Sequence, residues 1–128
     1  MSYSTYANLG KSEDEPTEEE ASNVEIIQSK EHRQDICRKN RIVVIDNYTE
    51  WCGPCKFCAP QFIKLASELK GKAAFCKEDV DKQFGETPPI RGVPCFHIYV
   101  NGEYKKDLTV TGADVDQVRQ KLEDMLGP

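Results

Sequence analysis

Apolar positions along this 128-residue chain follow two periods, and the change between them marks out the elements. Ile42-Val43-Val44-Ile45 is an unbroken β-branched run, the pattern of a central strand buried on both faces. Branching and the turn residues after it favour strand over helix. Val24 to Ile27 is a shorter apolar run suited to an edge strand, and between the two Ser29 caps a polar helix that carries Ile36 and Cys37 and stops at Asn40. From Pro54 the spacing turns helical. Cys58, Phe62, Leu65 and Leu69 form one stripe on a helix predicted to reach about Lys70 and end at Gly71. Pro60 inside it predicts a kink, since its ring clashes with the carbonyl four residues back. Ala73 to Val80 and Cys95 to Val100 read as the third and fourth strands. Asn101-Gly102 favours a type I′ turn, so a fifth strand around Lys105 to Val110 should close an antiparallel hairpin. Val115, Val118, Leu122 and Met125 then mark an amphipathic C-terminal helix opened by Asp114.

This order, parallel strands first and a hairpin last, predicts an α/β fold: a central mixed sheet of about five strands with helices on both faces. The length suits one domain. Its charge is uneven. Residues 1–23 hold one base, Lys11, against six acids, and the remaining chain has sixteen of each, so nothing favours nucleic acid or an anionic membrane as partner. The acidic tract lacks apolar residues to bury, so residues 1–23 are expected to be a disordered tail and residues 24–128 the folded domain. A solvated tail is preferred there over a phosphoacceptor role for Ser12, and deleting residues 1–20 is expected to be nearly silent. No stretch approaches the roughly 18 apolar residues of a membrane span, and Met1 to Gly10 has no signal-peptide pattern. A cytoplasmic location is therefore expected, where a Cys-x-x-Cys is more often catalytic or metal-binding than structural.

That motif is Cys52-Gly53-Pro54-Cys55, between the central strand and the long helix. The helix N-terminus offers unpaired N–H groups and a positive dipole end, which stabilise a thiolate at Cys52 and make it the attacking thiol. Cys55 lies one turn further in, within reach as the resolving thiol, and Pro54 suits the first turn because its missing N–H costs nothing there. Two other chemistries compete. A metal could use Cys52, Cys55 and Cys58, but the next position of an iron–sulfur run is Phe62, and zinc would need a ligand such as His97 from elsewhere. An inert disulfide is the other. Cys58 fits its apolar stripe as a small hydrophobe, so redox chemistry is preferred, with no metal and no cofactor of the chain's own.

The segment VIDNYTEWCGPCKFCAP resembles the thioredoxin active site, and RGVPCFHIYVNGE resembles that family's cis-proline strand, the similarity spanning about residues 24–126. The resemblance implies a thioredoxin fold and a protein-disulfide reductase that cycles Cys52 and Cys55 between dithiol and disulfide. It implies that Pro94 is cis and faces Cys52, that the Val93 backbone pairs with a substrate strand beside Gly92, and that Trp51 shields the site. Asp46 would move protons for Cys55, and Lys77 would stand near it. The sequence supports Asp46 separately, because a carboxylate closing an apolar run is costly without a function or partner. The implied partners are disulfide-containing proteins and a flavin-dependent, NADPH-fed thioredoxin reductase, with the chain a monomer. The alternative is a thioredoxin-like binding or assembly module with little turnover.

The chain also departs from the family pattern. Asn47 and Tyr48 stand where bacterial members usually have aromatic residues, and the short Asp81–Ile90 segment with Gly85, Pro88 and Pro89 implies that the third helix is truncated or lost. Gly102 to Gly112 is about two residues longer than usual, implying an extended hairpin arm. Cys95 replaces the usual threonine after Pro94 and reads as a packed thiol rather than a redox one. His32 reads as a solvated helix residue and His97 as a packed or hydrogen-bonded one.

Overall fold

The computed structural model describes residues 15–127. Ser12 lies outside them, as does most of the expected tail. Its remaining part is ordered: Thr17 caps a short helix, α1 (Glu18–Ala21). Thr17 Oγ1 accepts from the Glu20 N–H at 3.0 Å while Glu20 Oε1 accepts from the Thr17 N–H at 2.9 Å, a reciprocal capping box. Pro16 is buried and Ala21 packs on the core, so the folded unit starts before Val24 and the expected 1–23 boundary is corrected. Acidity misled because the three glutamates lie in the first turn of α1, where its dipole favours them. A chain starting at Asn23 is accordingly expected to be about 1 to 2 kcal/mol less stable than one starting at Glu15. Coincident urea transitions for the two would refute this.

The helices α2 (Lys30–Lys39), α3 (Gly53–Glu68) and α4 (Val115–Leu126) are capped by Ser29, Cys52 and Asp114, each side chain accepting the backbone N–H of the third residue of its helix. The strands are β1 (Val24–Ile26), β2 (Ile42–Tyr48), β3 (Ala74–Asp79), β4 (Cys95–Val100), β5 (Glu103–Tyr104) and β6 (Val110–Thr111). Their order is β1-β3-β2-β4-β5, with β6 also on β4; β1, β3 and β2 are parallel and β4 runs antiparallel to β2. The mixed sheet with parallel strands first is as expected. Asn101 and Gly102 both have positive φ, as a type I′ turn requires. The expected fifth strand is instead two short pairings, β5 and β6, flanking a 3₁₀ turn at Lys106–Leu108. The Lys105-Lys106-Asp107 run has no apolar alternation to hold a continuous strand, and Leu108 turns inward onto the core.

Alternation on the strands divides the core. Ile42 and Val44 of β2, Phe75 of β3 and Phe96 and Ile98 of β4 pack under α3 and α4 with Phe62, Leu65, Val118 and Leu122. Val43, Ile45 and Cys76 face the other way, under Ile36 and Cys37 of α2. By the same period of two, Asp46 and Lys77 belong to the α3 face, and Asn47, Glu78 and His97 to the α2 face. Helix α3 continues through Pro60. After β3 comes only a 3₁₀ turn, Val80–Lys82, and no helix precedes β4, in line with the expected loss of the third helix.

Candidate active site

Strand β2 ends at Tyr48, a turn follows, and α3 begins at Gly53, so Cys52 becomes the N-cap of a sixteen-residue helix. The Cys55 N–H points at Cys52 Sγ over 3.1 Å. This is one of the donors a helix start leaves unpaired, and it favours a negative sulfur. Gly53 and Pro54 supply the first turn. The two cysteines are joined as a disulfide with Cα atoms 5.3 Å apart. Trp51 stands beside them, 72% exposed, its indole N–H donating to Asp81 Oδ2 at 3.1 Å.

The Val93-Pro94 peptide is cis, and Cys52 Sγ lies 3.7 Å from the Val93 carbonyl oxygen. Pro94 is in turn held by the Gly112 N–H, which donates to its carbonyl at 2.8 Å. The motif and the Gly92-Val93-Pro94 segment, some forty residues apart, therefore meet at one end of the sheet.

Asp46 and Lys77 are register partners on β2 and β3. Asp46 is 6% exposed, and Oδ1 has no hydrogen-bond partner among the described residues. Burial pushes its carboxyl up to about 7, against the opposite pull of the Lys77 charge. Burial likewise lowers the Lys77 ammonium, which the Asp46 charge raises, and Lys77 Nζ sits 5.6 Å from the Tyr48 ring centroid. A carboxyl near neutrality can take a proton and return it at physiological pH. The carboxylate and the inner cysteine also border one cavity of about 600 Å³, walled by Glu18, Ala21, Tyr48, Cys55, Asp46 and Lys77 among others. The walls from α1 were not legible as part of the site in the acidic tract.

The other thiols are set apart by burial. Cys58 and Cys76 are pushed up to about 12, Cys37 to about 11, and Cys95 upward as well, so none carries appreciable thiolate near neutral pH. His97 uses both ring nitrogens, 3.1 Å from Asn47 Nδ2 and 3.2 Å from the Pro89 carbonyl. Neither nitrogen is left for a metal, and among the described residues no three His, Cys, Asp or Glu side chains converge as a metal site. His32 is also engaged, its Nε2 2.8 Å from Glu25 and its Nδ1 accepting the Gln28 N–H.

Sequence reasoning missed two features here. Phe57 is 67% exposed on α3, five residues after Cys52. A buried set of Arg33, Asn47, Glu78 and His97 lies on the opposite sheet face. Arg33 makes a two-toothed ion pair with Glu78, both bonds 2.9 Å, and donates to the Gly85 carbonyl and Thr87 Oγ1. Its position on one stripe with Ile36 and Cys37 was the signal that it points inward.

The thioredoxin family model matches residues 23–124. A thioredoxin of Malassezia sympodialis is 36% identical over 102 residues, covering 77% of this chain and 95% of that one. A thioredoxin of Plasmodium falciparum is 35% identical over 102 residues, with 78% and 95% covered. A solved Plasmodium falciparum thioredoxin superposes with a TM-score of 0.71 at 33% identity, covering 79% of this chain and 98% of that one. No helix among the described residues is long and apolar enough to cross a membrane. With a family match across the folded unit and the paired cysteines at its helix start, the chain belongs to the thioredoxin family and is a thiol–disulfide oxidoreductase that reduces protein disulfides.

Proposed function

We propose that Cys52 attacks the substrate disulfide and Cys55 resolves the mixed disulfide. One observation carries this division of labour: the Cys52 sulfur lies against Val93 and receives a helix-start N–H, whereas Cys55 lines the inner cavity with Asp46. In the first step Cys52 thiolate bonds to one substrate sulfur and the other leaves as a thiolate. Asp46 then takes the Cys55 proton, Cys55 attacks Cys52, and the second substrate sulfur leaves, so the enzyme ends oxidised by two electrons and the substrate reduced. Lys77 holds the Asp46 carboxylate ionisable by opposing its burial. Gly92, Val93 and Pro94 take the substrate backbone, and Trp51 covers the apolar side of the approach. A flavin-dependent, NADPH-fed reductase restores the dithiol, and the protein works as a cytoplasmic monomer. Family membership favours this reading over an assembly module.

Limiting iodoacetamide on the freshly reduced protein tests the assignment. Peptide mapping should find Cys52 labelled at least roughly ten times faster than Cys55, because the alkylation rate follows thiolate fraction and access. Equal labelling, or preference for Cys55, would reverse the roles.

A further inference from the structure

The segment from Gln83 to Pro94 replaces a helix with irregular chain, yet it must deliver Val93 to Cys52. Backbone in such a segment has no ladder of its own, so its position depends on side chains that reach it from fixed elements. Two such side chains stand side by side on the sheet. Asn47 of β2 donates from Nδ2 to the Cys95 carbonyl at 2.9 Å, directly after cis-Pro94. His97 of β4 meets the Pro89 carbonyl through Nε2 at 3.2 Å, before it. The chain from Ile90 to Val93 thus lies between a fastening at Pro89 and those at Pro94 and Cys95, where Gly112 and Asn47 donate to successive carbonyls.

The proton positions follow from the partners. Asn47 Nδ2 lies near the Cys95 and Ile45 carbonyls, at 2.9 and 3.4 Å, so the amide nitrogen and not the oxygen faces them. That nitrogen also faces His97 Nδ1, which must then be the unprotonated acceptor, leaving Nε2–H to donate to Pro89. Burial, which disfavours imidazolium at His97, agrees with this neutral tautomer. The ring is further held edge-on to Tyr104, with centroids 5.1 Å apart. Both residues are essentially buried, and their side-chain hydrogen bonds go to Ile45, Cys95, Pro89 and each other rather than to Cys52 or Cys55.

We propose that His97, steered by Asn47, is a positioning residue that sets the Ile90–Pro94 segment at the height where Val93 can pair with a substrate strand. The inference rests on the reading of Val93 as the strand-pairing residue. It makes His97 and Asn47 determinants of how well an extended polypeptide docks, and leaves the chemistry of the thiols alone. Peptide disulfides are then affected, and small disulfides with no backbone to pair are not.

The test follows single-turnover oxidation of pre-reduced protein through Trp51, the chain's one tryptophan, over a range of substrate concentrations. Three substrates are used: a peptide disulfide with extended flanks, the same peptide N-methylated beside its cysteine, and dithiobis(nitrobenzoate). N-methylation should raise the half-saturation of the wild type about tenfold, the scale of one lost docking hydrogen bond. His97→Leu should raise the half-saturation for the unmodified peptide by a similar factor. Its limiting rate, and its rate on dithiobis(nitrobenzoate), should stay within about twofold of wild type. His97→Gln, which keeps a donor for Pro89 and an acceptor for Asn47, should restore tight half-saturation. A wild-type value for His97→Leu, with the wild type still sensitive to N-methylation, overturns the role of His97 while Val93 pairing stands. A wild type indifferent to N-methylation overturns the pairing and the present inference with it. Equal slowing of His97→Leu on the peptide and the small disulfide also overturns it, because the residue would then act on the thiols or on the fold at large.

Discussion

Cys55→Ser is expected to turn the protein into a trap that accumulates covalent adducts with its own substrates. The first step needs only a thiolate at Cys52, which sits at the start of α3 with the Cys55 N–H on its sulfur. A backbone N–H survives the change to serine. Release, by contrast, needs a second sulfur, and serine keeps the size without the nucleophilicity. Adducts should appear as high-mass bands that dithiothreitol removes, and their identities would name the physiological substrates. Cys52→Ser should trap almost nothing, because its remaining thiol faces the inner cavity rather than Val93. Comparable trapping by both variants would contradict the assigned order of attack. Turnover by Cys55→Ser would require a third resolving thiol. The structure argues against that outcome, since burial pushes Cys58 up to about 12 and raises Cys95 as well.

Asp46→Asn is expected to stabilise the fold and impair one half of the reaction. The carboxyl has an ordinary value of 3.8 and a folded one of about 7, raised by burial and pulled back by Lys77. Below pH 4 the folded and unfolded chains both hold the proton, and this group costs no stability. Between pH 4 and 7 the unfolded chain releases the proton while the folded one keeps it, so the wild type loses about 1.4 kcal/mol per pH unit, about 4 kcal/mol at most. Asparagine does not titrate and is spared this loss. Part of the gain is offset because Lys77, itself half-buried, loses its counter-charge. A net advantage of about 2 to 3 kcal/mol for Asp46→Asn at pH 7, vanishing near pH 4, should be visible in urea melts. A difference independent of pH would mean that the carboxyl is not the titrating group. Kinetically, resolution by Cys55 should slow roughly a hundredfold, the usual scale for a lost proton acceptor, while attack by Cys52 changes little. Stopped-flow Trp51 fluorescence separates the two steps, and equal slowing of both would count against Asp46 as the proton carrier.

Local pattern alone determined most of the frame. The β-branched run at Ile42–Ile45, the Cys58-Phe62-Leu65-Leu69 stripe, the Ser29 and Asp114 caps and the Asn101-Gly102 turn each encode a period or a backbone angle within a few residues. The redox chemistry was legible for the same reason: Cys52-Gly53-Pro54-Cys55 at a strand-to-helix junction creates its own electrostatic setting. Asp46 could be singled out because a carboxylate on an apolar strand is anomalous wherever it lies. Tertiary structure decided what depends on partners distant in sequence. Arg33 meets Glu78 across 45 residues, and Asn47 meets His97 across 50. Before register places such groups together, each is only a charged or polar residue whose cheapest state is solvation. The acidic N-terminal tract shows the same divide. Its capping box can be read within four residues, but the contacts that hold α1 come from Ala21 on the core and a buried Pro16. A four-residue helix has too few hydrogen bonds to persist unaided, so only packing against the rest of the fold could order it.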